Sequence, residues 1–530
     1  MDTSDACLLR ILRKELPPLP DGDAAQMKSC VLALEEEIDS LERQILVFAA
    51  VVNNLQRTLT VSKSTLALRR AVIAPIHRLP QELLVAVFQH CIPQDHTNLA
   101  CLGESVRWIL LRVCRSWKSV LEGAPTLWTN LVISPETRPL TQPLKKYLSL
   151  SGRHPLWVTI RDREDKPVFE DSRLGAAFWQ VLSSTMHRWQ RLRIYCVSTP
   201  VDDIIMYLMP LNFPMLEEVY IWVVTERADP REPSGMGRSW FKNAPRLKRA
   251  MLEFAVQRSY AWYPPSLTHM CSELEENGSM LEYALSFPNL RELIFKYEDY
   301  TNPLPSLQHH ALTHLCTSGT TLRYLTLPSL KSLVIDDSRP YHTTHGYPPS
   351  AWADGVTTFI RRSKCRLEYF HILAPTLLQE KATYTELLPL VGPTLVMLNF
   401  TSDRHSHPSA IEIIRSLTRT LSSPGSLPYL EHLKVSFCSR DPQDRDTLDA
   451  LVDAFATTLI SRRNEKLAEQ WHAPLLRKVS VDWGNNPLVS KMRTSCLDLL
   501  LCQGMEVEWV RYPDQSLTDW HTTWYDETRR

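Results

Sequence analysis

The amino-acid sequence predicts an α/β chain in three parts: a long N-terminal helix, a small all-α module and an irregular α/β solenoid. Three observations predict it. Apolar residues recur at steps of three and four from Val31 to Leu59, the period of an amphipathic helix. Between Pro75 and Trp128 two broad apolar segments are bracketed by prolines. After Trp128 a motif, Pro-x-Leu-x-x-apolar-x-apolar, returns in seven clean copies, and repetition on this scale marks a stacked array of like units. The boundaries read from these patterns are 1–70, 71–131 and 132–530.

Composition removes several classes. The 530 residues are 44% hydrophobic and 22% charged, which suits folded domains or one repeat array. Lys plus Arg and Asp plus Glu each number 59; a nucleic-acid-coating surface would leave a basic surplus, so no such partner is expected. Glycine numbers only 15, no Gly-Lys dipeptide occurs, and Gly235-Met-Gly237 lacks a third glycine, so neither a P-loop nor a dinucleotide fingerprint is present. Twelve cysteines without a Cys-x-x-Cys pair suit reduced thiols in the cytoplasm or nucleus. Asp2 and Asp5 precede a short apolar stretch, unlike a signal peptide, and the apolar run Leu46–Val52 is too short to span a bilayer. No membrane attachment and no cofactor are expected.

The first helix carries Val31, Ile38, Ile45, Val52 and Leu59 at heptad position a, and Leu34, Leu41, Phe48 and Leu55 at d. Asp23 with Gln26 suits a capping box at its start. β-Branched residues at a favour parallel dimers. The flanks oppose one: Glu37 at g would face Glu42 at e of the partner. A coiled-coil dimer and a helix docked on its own protein both stay open, with a monomer as the expected mass.

The second part opens with Pro75-Ile76, then Leu79-Pro80-x-Glu82-Leu83-Leu84 and Val87-Phe88. Proline is tolerated in a helix's first turn, so Pro80 marks a helix start. A loop around Pro93–Gly103 leads to a second helix near Val106–Leu121, with Val113-Cys114-x-x-Trp117, and Pro125-x-Leu127-Trp128 closes the unit. Helices this small and apolar on more than one side need a second surface to cover them. That surface is either a partner or the rest of the chain.

These anchors together resemble an F-box, and more narrowly the F-box-like proteins of mushroom-type fungi, which often carry a helical coil before the box. The resemblance implies binding to a Skp-family adaptor that links the chain to a cullin–RING ubiquitin ligase. By position it assigns Pro75, Ile76, Leu79, Pro80, Leu83, Leu84 and Phe88 to the adaptor-facing segment. Val113, Cys114 and Trp117 match the later part, where core and interface roles mix. The loop from Pro93 to Arg107 is longer than the common form.

The seven repeat copies start at Pro214, Pro245, Pro288, Pro328, Pro393, Pro428 and Pro474, with degenerate copies at Arg366 and Trp189. Each reads as a short alternating strand preceded by proline, where a missing N–H does little harm. Helix-like stretches such as Asp449–Arg462 and Ala410–Ser422 separate some copies. One strand and one helix per unit is a leucine-rich-repeat-like solenoid; a layered α/β domain is the alternative. The asparagine that usually follows the strand is missing, so the backbone must be satisfied some other way. Alternate strand residues would form an outward, target-binding face: Glu218, Tyr220, Trp222, Arg249, Glu292, Lys296, His371, Lys434 and Lys478. The insertions Glu226–Trp240 and Asp336–Trp352 resemble variable binding loops.

No His-Glu-x-x-His, Gly-x-Ser-x-Gly or calcium-loop pattern occurs. His405, His407 and the pair His309-His310 lack companion ligands at metal spacing and read as loop histidines. The expected function is a non-catalytic receptor that holds an unknown target protein near ubiquitin-transferring machinery. A scaffold without a ubiquitination role is the alternative, and an unrecognised hydrolase is a third.

Overall fold

The computed structural model describes residues 21–92, 106–133, 141–161, 176–196, 211–223, 240–253, 264–273, 278–295, 306–336, 350–373, 383–402, 407–437, 445–482 and 506–509, with a few isolated positions. The chain divides into two compact units, Met1–Phe88 and Gln89–Arg530.

The first unit is dominated by α1, a helix from Asp21 to Ile73. It begins before Asp23, so Asp23 lies inside its first turn and not at the cap. Its apolar line is exposed throughout, from 46% at Val31 to 66% at Phe48. By length and composition Gly22–Arg70 could cross a membrane, which the run Leu46–Val52 alone did not reveal. Asn53, Asn54, Gln56 and Arg57 follow that run directly, and each is costly in hydrocarbon.

Helices α2 (Gln81–Cys91), α3 (Val106–Val113) and α4 (Arg115–Glu122) follow. The single helix expected over Val106–Leu121 is therefore two. Cys114 breaks it with extended backbone (φ −159°, ψ 169°), and its Sγ accepts the Trp117 backbone N–H at 3.4 Å. Cys114 thus caps α4.

Sixteen strands are described: β1 (Asn130–Ile133), β2 (Leu156–Arg161), β3 (Trp189–Cys196), β4 (Glu218–Val223), β5 (Arg249–Glu253), β6 (His269–Glu273), β7 (Glu292–Phe295), β8 (Leu307–Gln308), β9 (His314–Thr317), β10 (Leu325–Thr326), β11 (Ser332–Ile335), β12 (Tyr369–Ile372), β13 (Met397–Ser402), β14 (His432–Phe437), β15 (Lys478–Asp482) and β16 (Glu506–Trp509). Fourteen form one sheet in chain order, while β8 and β10 form a separate pair. Neighbouring strands are parallel throughout. The expected boundary between residues 131 and 132 falls inside β1, so the helical module runs straight into the sheet.

Every clean motif copy leads into a strand of this sheet, and the fourth residue after each proline opens it. Glu218 pairs with Arg249, Met397 with His432, and His432 with Lys478. Proline's place has a local cause. In five of the seven copies the residue before it accepts the N–H of the leucine after it, as in Phe213 with Leu216 at 3.2 Å and Phe287 with Leu290 at 3.1 Å, whereas Leu476 N–H goes to Arg462 O at 3.3 Å. Those five are β-turns with proline at the second position, where its fixed φ fits. Leu216, Leu247, Leu290, Leu330, Leu395, Leu430 and Leu476 are all at most 1% exposed. Two further units escaped the motif: Leu267-Thr-His-Met-Cys, whose strand is β6, and Leu312-Thr-His-Leu-Cys, whose strand is β9.

Two other devices satisfy the backbone ahead of the strands. A backbone ladder runs just ahead of the strands, with Lys248 donating to Glu217, Thr268 to Lys248, Arg291 to Thr268 and Thr313 to Arg291, at 2.8–2.9 Å. Arginines then satisfy carbonyls left open at helix ends and turns. Arg462 Nε reaches Leu417 O and its Nη1 reaches Leu427 O, both at 2.6 Å. Arg419 Nη2 reaches Pro428 O and Pro474 O, both at 2.7 Å. Arg362 Nε reaches Leu325 O at 3.1 Å, and Arg188 Nε reaches His154 O at 3.0 Å.

Among the described connections, α5 (Thr141–Ser151), α6 (Ala176–Ser183), α7 (Gly278–Leu285), α8 (Ser350–Ser363), α9 (Leu388–Val391), α10 (His407–Ser416), α11 (Arg445–Arg463) and α12 (Glu465–Gln470) are helical. The helix expected over Ala410–Ser422 stops at Ser416, whose carbonyl accepts Ser426 N–H at 2.9 Å, while Thr420 N–H turns to Ser423 O at 2.8 Å. His309 lies in a loop, as the sequence reading has it, and is buried there. It is 5% exposed and pins a turn, with Nε2 against Phe287 O at 2.9 Å and Nδ1 accepting Leu312 N–H at 3.0 Å.

Candidate interaction surfaces

The segment before α2 is a 3-10 turn, Pro75–Arg78, closed by Leu79 N–H to Ile76 O at 3.4 Å. Leu79 is extended, and Pro80 O accepts Leu84 N–H at 3.1 Å, so Pro80 stands at the helix entry. On α2, residues four apart share a face. Leu84 and Phe88 form one such pair and are 5% and 0% exposed. Leu83 and Val87 form another and are 54% and 39% exposed, with Leu79 at 37%. This corrects two assignments. Leu84 and Phe88 are core residues, because their stripe is turned inward, whereas Pro75, Leu79, Pro80 and Leu83 are exposed and Ile76 is half-buried. Val87 completes the outward stripe and is legible only from its spacing to Leu83.

On α3 the outward pair is Ile109 and Val113, 61% and 54% exposed. Ile109 was not predicted; its four-residue spacing to Val113 is the signal that would have found it. Trp117 is half-buried on α4, and Cys114 is occupied in capping. This end of the second unit is anchored by Trp128, fully buried, whose Nε1 donates to Leu121 O at 2.8 Å. Arg107 Nε reaches Leu127 O at 2.6 Å. Tyr147 donates to Asn130 O, and burial, only partly opposed by the Arg107 charge, pushes its pKa up to about 12.

The sheet offers a second surface. Its first strand position forms a charged line in register: Arg191, Glu218, Arg249, His269, Glu292 and His314. Glu218 pairs with Arg249 at 2.5 Å and with Arg191 at 3.0 Å. Glu292 meets His269 Nε2 at 3.1 Å. Burial acts to raise the Glu292 carboxyl, but the His269 hydrogen bond and the nearby His269, His314 and Arg249 charges outweigh it and hold it below the usual range. At the other end Lys478 pairs with Glu506 at 3.1 Å. Glu218, Arg249, Glu292 and Lys478 therefore have partners inside the sheet.

The third strand position forms a second line. Its centre is apolar: Cys271, Ile294, Cys316 and Val334 are buried, with Met251 and Tyr369 packed against them. His371 lies in this line but is only 4% exposed, so it is not an accessible contact. Val334 and Asn399 flank it at ladder spacing, and the Tyr369 ring stands edge-on at 6.3 Å. Burial first, and Lys434 second, lower its pKa to about 3 against the pull of Asp336. Lys434 is half-buried. Lys296, His405 and most of both expected binding loops lie outside the described residues.

Toward β2, arginine and aromatic side chains gather on this face. Tyr195 lies 5.2 Å from Tyr220 and 6.2 Å from Trp222. Arg161 sits over Tyr195 at 5.4 Å and Arg191 over Trp157 at 4.1 Å. All six are half-buried, and Tyr, Trp and Arg are the side chains that most often dominate binding energy. Tyr220 and Trp222 were read from the sequence; Arg161, Tyr195 and Trp157 were not, because their strands carry no proline motif.

An F-box-like family model matches residues 76–134. The segment therefore carries an F-box-like domain, a protein-interaction module. No curated protein matches the chain. The match spans the outward stripes of α2 and α3 and ends just after β1.

Proposed function

We propose that this chain is the substrate-recognition subunit of an SCF-type cullin–RING ubiquitin ligase, with no catalysis of its own. The F-box-like match over residues 76–134 carries the reading. The outward stripe Leu79, Leu83 and Val87 supports it, since bulky apolar residues at a module's surface suit burial by a partner. In this reading the stripe binds a Skp-family adaptor. The sheet unit is a leucine-rich-repeat-like solenoid, supported by its buried turn leucines and continuous turn ladder. Its arginine–aromatic patch holds the target. Binding both partners raises the target's effective concentration at the ligase. The twelve cysteines without a Cys-x-x-Cys pair support work in the reducing cytoplasm or nucleus.

Leu79→Ala with Pro80→Ala tests the adaptor contact in the full chain. Adaptor pulldown is expected to weaken about tenfold or more, as for interface hot spots, with the main thermal transition unchanged. Full adaptor binding by the folded double variant would sink the reading.

A further inference from the structure

Helix α1 presents a complete heptad line to solvent along its whole length, and soluble chains rarely leave so long an apolar stripe uncovered. We propose that it is covered by a second copy of α1 running antiparallel. Charge decides the direction. From Glu35 to Glu42 the helix carries Glu35, Glu36, Glu37, Asp39 and Glu42. Beyond Arg43 it has no acidic residue up to Ile73, while Arg57, Lys63, Arg69 and Arg70 are basic. A parallel pair sets acid against acid, with Glu37 opposite Glu42. An antiparallel pair sets the acidic half of each copy against the basic half of the other.

The core supports the same direction. Leu66 and Ile73 continue the a positions beyond Leu59. In an antiparallel pair, a residues of one helix stack on d residues of the other. A midpoint between Asn53 and Asn54 stacks Leu34 on Ile73, Leu41 on Leu66, Phe48 on Leu59 and Leu55 on Val52. At the same stagger the flanking e positions bring Glu35 toward Arg70 and Glu42 toward Lys63. The apolar layers and the charge pairs thus agree on one alignment. Its weak layers are Ile45 with Ser62 and Ile38 with Arg69, where the arginine stem can lie along the seam.

The experiment uses the full chain in light scattering and sedimentation over a concentration series. A dimer is expected. Glu35→Arg with Glu42→Lys sets like charges against Arg70 and Lys63 at the flanking positions and should raise the dimer dissociation constant by at least tenfold. Adding Lys63→Glu and Arg70→Glu reverses both flanking charge pairs and should restore it, which a merely misfolded variant would not do. Orientation is read from Cys30, which is exposed. In the antiparallel pair the two Cys30 thiols are about 70 Å apart at 1.5 Å rise per residue, so oxidation should give no Cys30–Cys30 link. A mapped link of that kind, a monomer at every concentration, or a dimer indifferent to the charge exchange overturns the proposal. So does binding of the monomer to phosphatidylcholine–phosphatidylserine vesicles in place of self-association.

Discussion

Single side chains in the sheet unit are placed by what the backbone lacks. Arg462 is fully buried, yet its bonds go to the carbonyls of Leu417 and Leu427. Burial, then the neighbouring Arg419 charge, pushes its pKa down to about 9. Gly425 has φ +77°, and a Cβ there would meet Leu417 O at 2.7 Å and Arg462 Nη2 at 2.9 Å. Glycine is thus required both by the turn and by the arginine passing it. His371 makes the residue scale measurable through pH. Its folded pKa is about 3 against an ordinary 6.5, so between those values the unfolded chain binds a proton that the native chain refuses. Stability from this group is full above about pH 6.5 and falls as the pH drops toward 3, at up to about 1.4 kcal/mol per pH unit. Denaturant titrations at pH 7 and pH 5 are expected to differ by about 2 kcal/mol from this residue alone. His371→Leu should remove that part of the difference; an unchanged pH dependence would mean the imidazole is not held neutral by burial.

The turn-and-strand unit is where elements repeat. In five of seven copies the proline shapes a β-turn that the leucine closes, and in all seven the leucine enters the core and the next residue joins the ladder. Leu430, 1% exposed, is the anchor ahead of β14. Leu430→Ala should cost on the order of 2–5 kcal/mol, as buried leucine truncations do. Hydrogen exchange should rise most in β13, β14 and β15, because stacked units touch only their neighbours. Uniform loss of protection from β1 to β16 would contradict that locality. Much of this was legible because the motif joins a turn signal, an anchor and a period-two strand in one short string. Units β6 and β9 were missed for particular reasons. Ser272 breaks the alternation after Pro265, and His310 stands where Leu312 would need a proline. On α2 the apolar residues were legible but their direction was not, since Leu83 and Leu84 are chemically identical and only packing decides which is buried. The break at Cys114 was hidden because its flanks share helix-compatible residues, and the cap forms through sulfur rather than the usual hydroxyl or carboxylate.

At the scale of the whole molecule, the proposed function assigns two separable attachments, one to the exposed stripe on α2 and one to the arginine–aromatic patch far along the sequence. Separable sites should respond independently to mutation when they share no partners. Proximity labelling from the full chain in cells tests this directly, comparing the intact protein with Leu79→Ala plus Pro80→Ala. Labelling of the adaptor and cullin should fall about tenfold or more with the disabled stripe, as for loss of an interface hot spot. Proteins held by the sheet should stay labelled, and should rise in abundance if the ligase directs their degradation. Trp222→Ala with Tyr195→Ala should give the converse: adaptor and cullin retained, sheet-held proteins lost. Neutralising Glu218 and Arg249 together should do far less, because those charges answer each other across β4 and β5 at 2.5 Å. Retention of adaptor and cullin in the stripe variant would separate the F-box-like fold from ligase assembly. Loss of all neighbours in both variants would instead mean the two surfaces act as one.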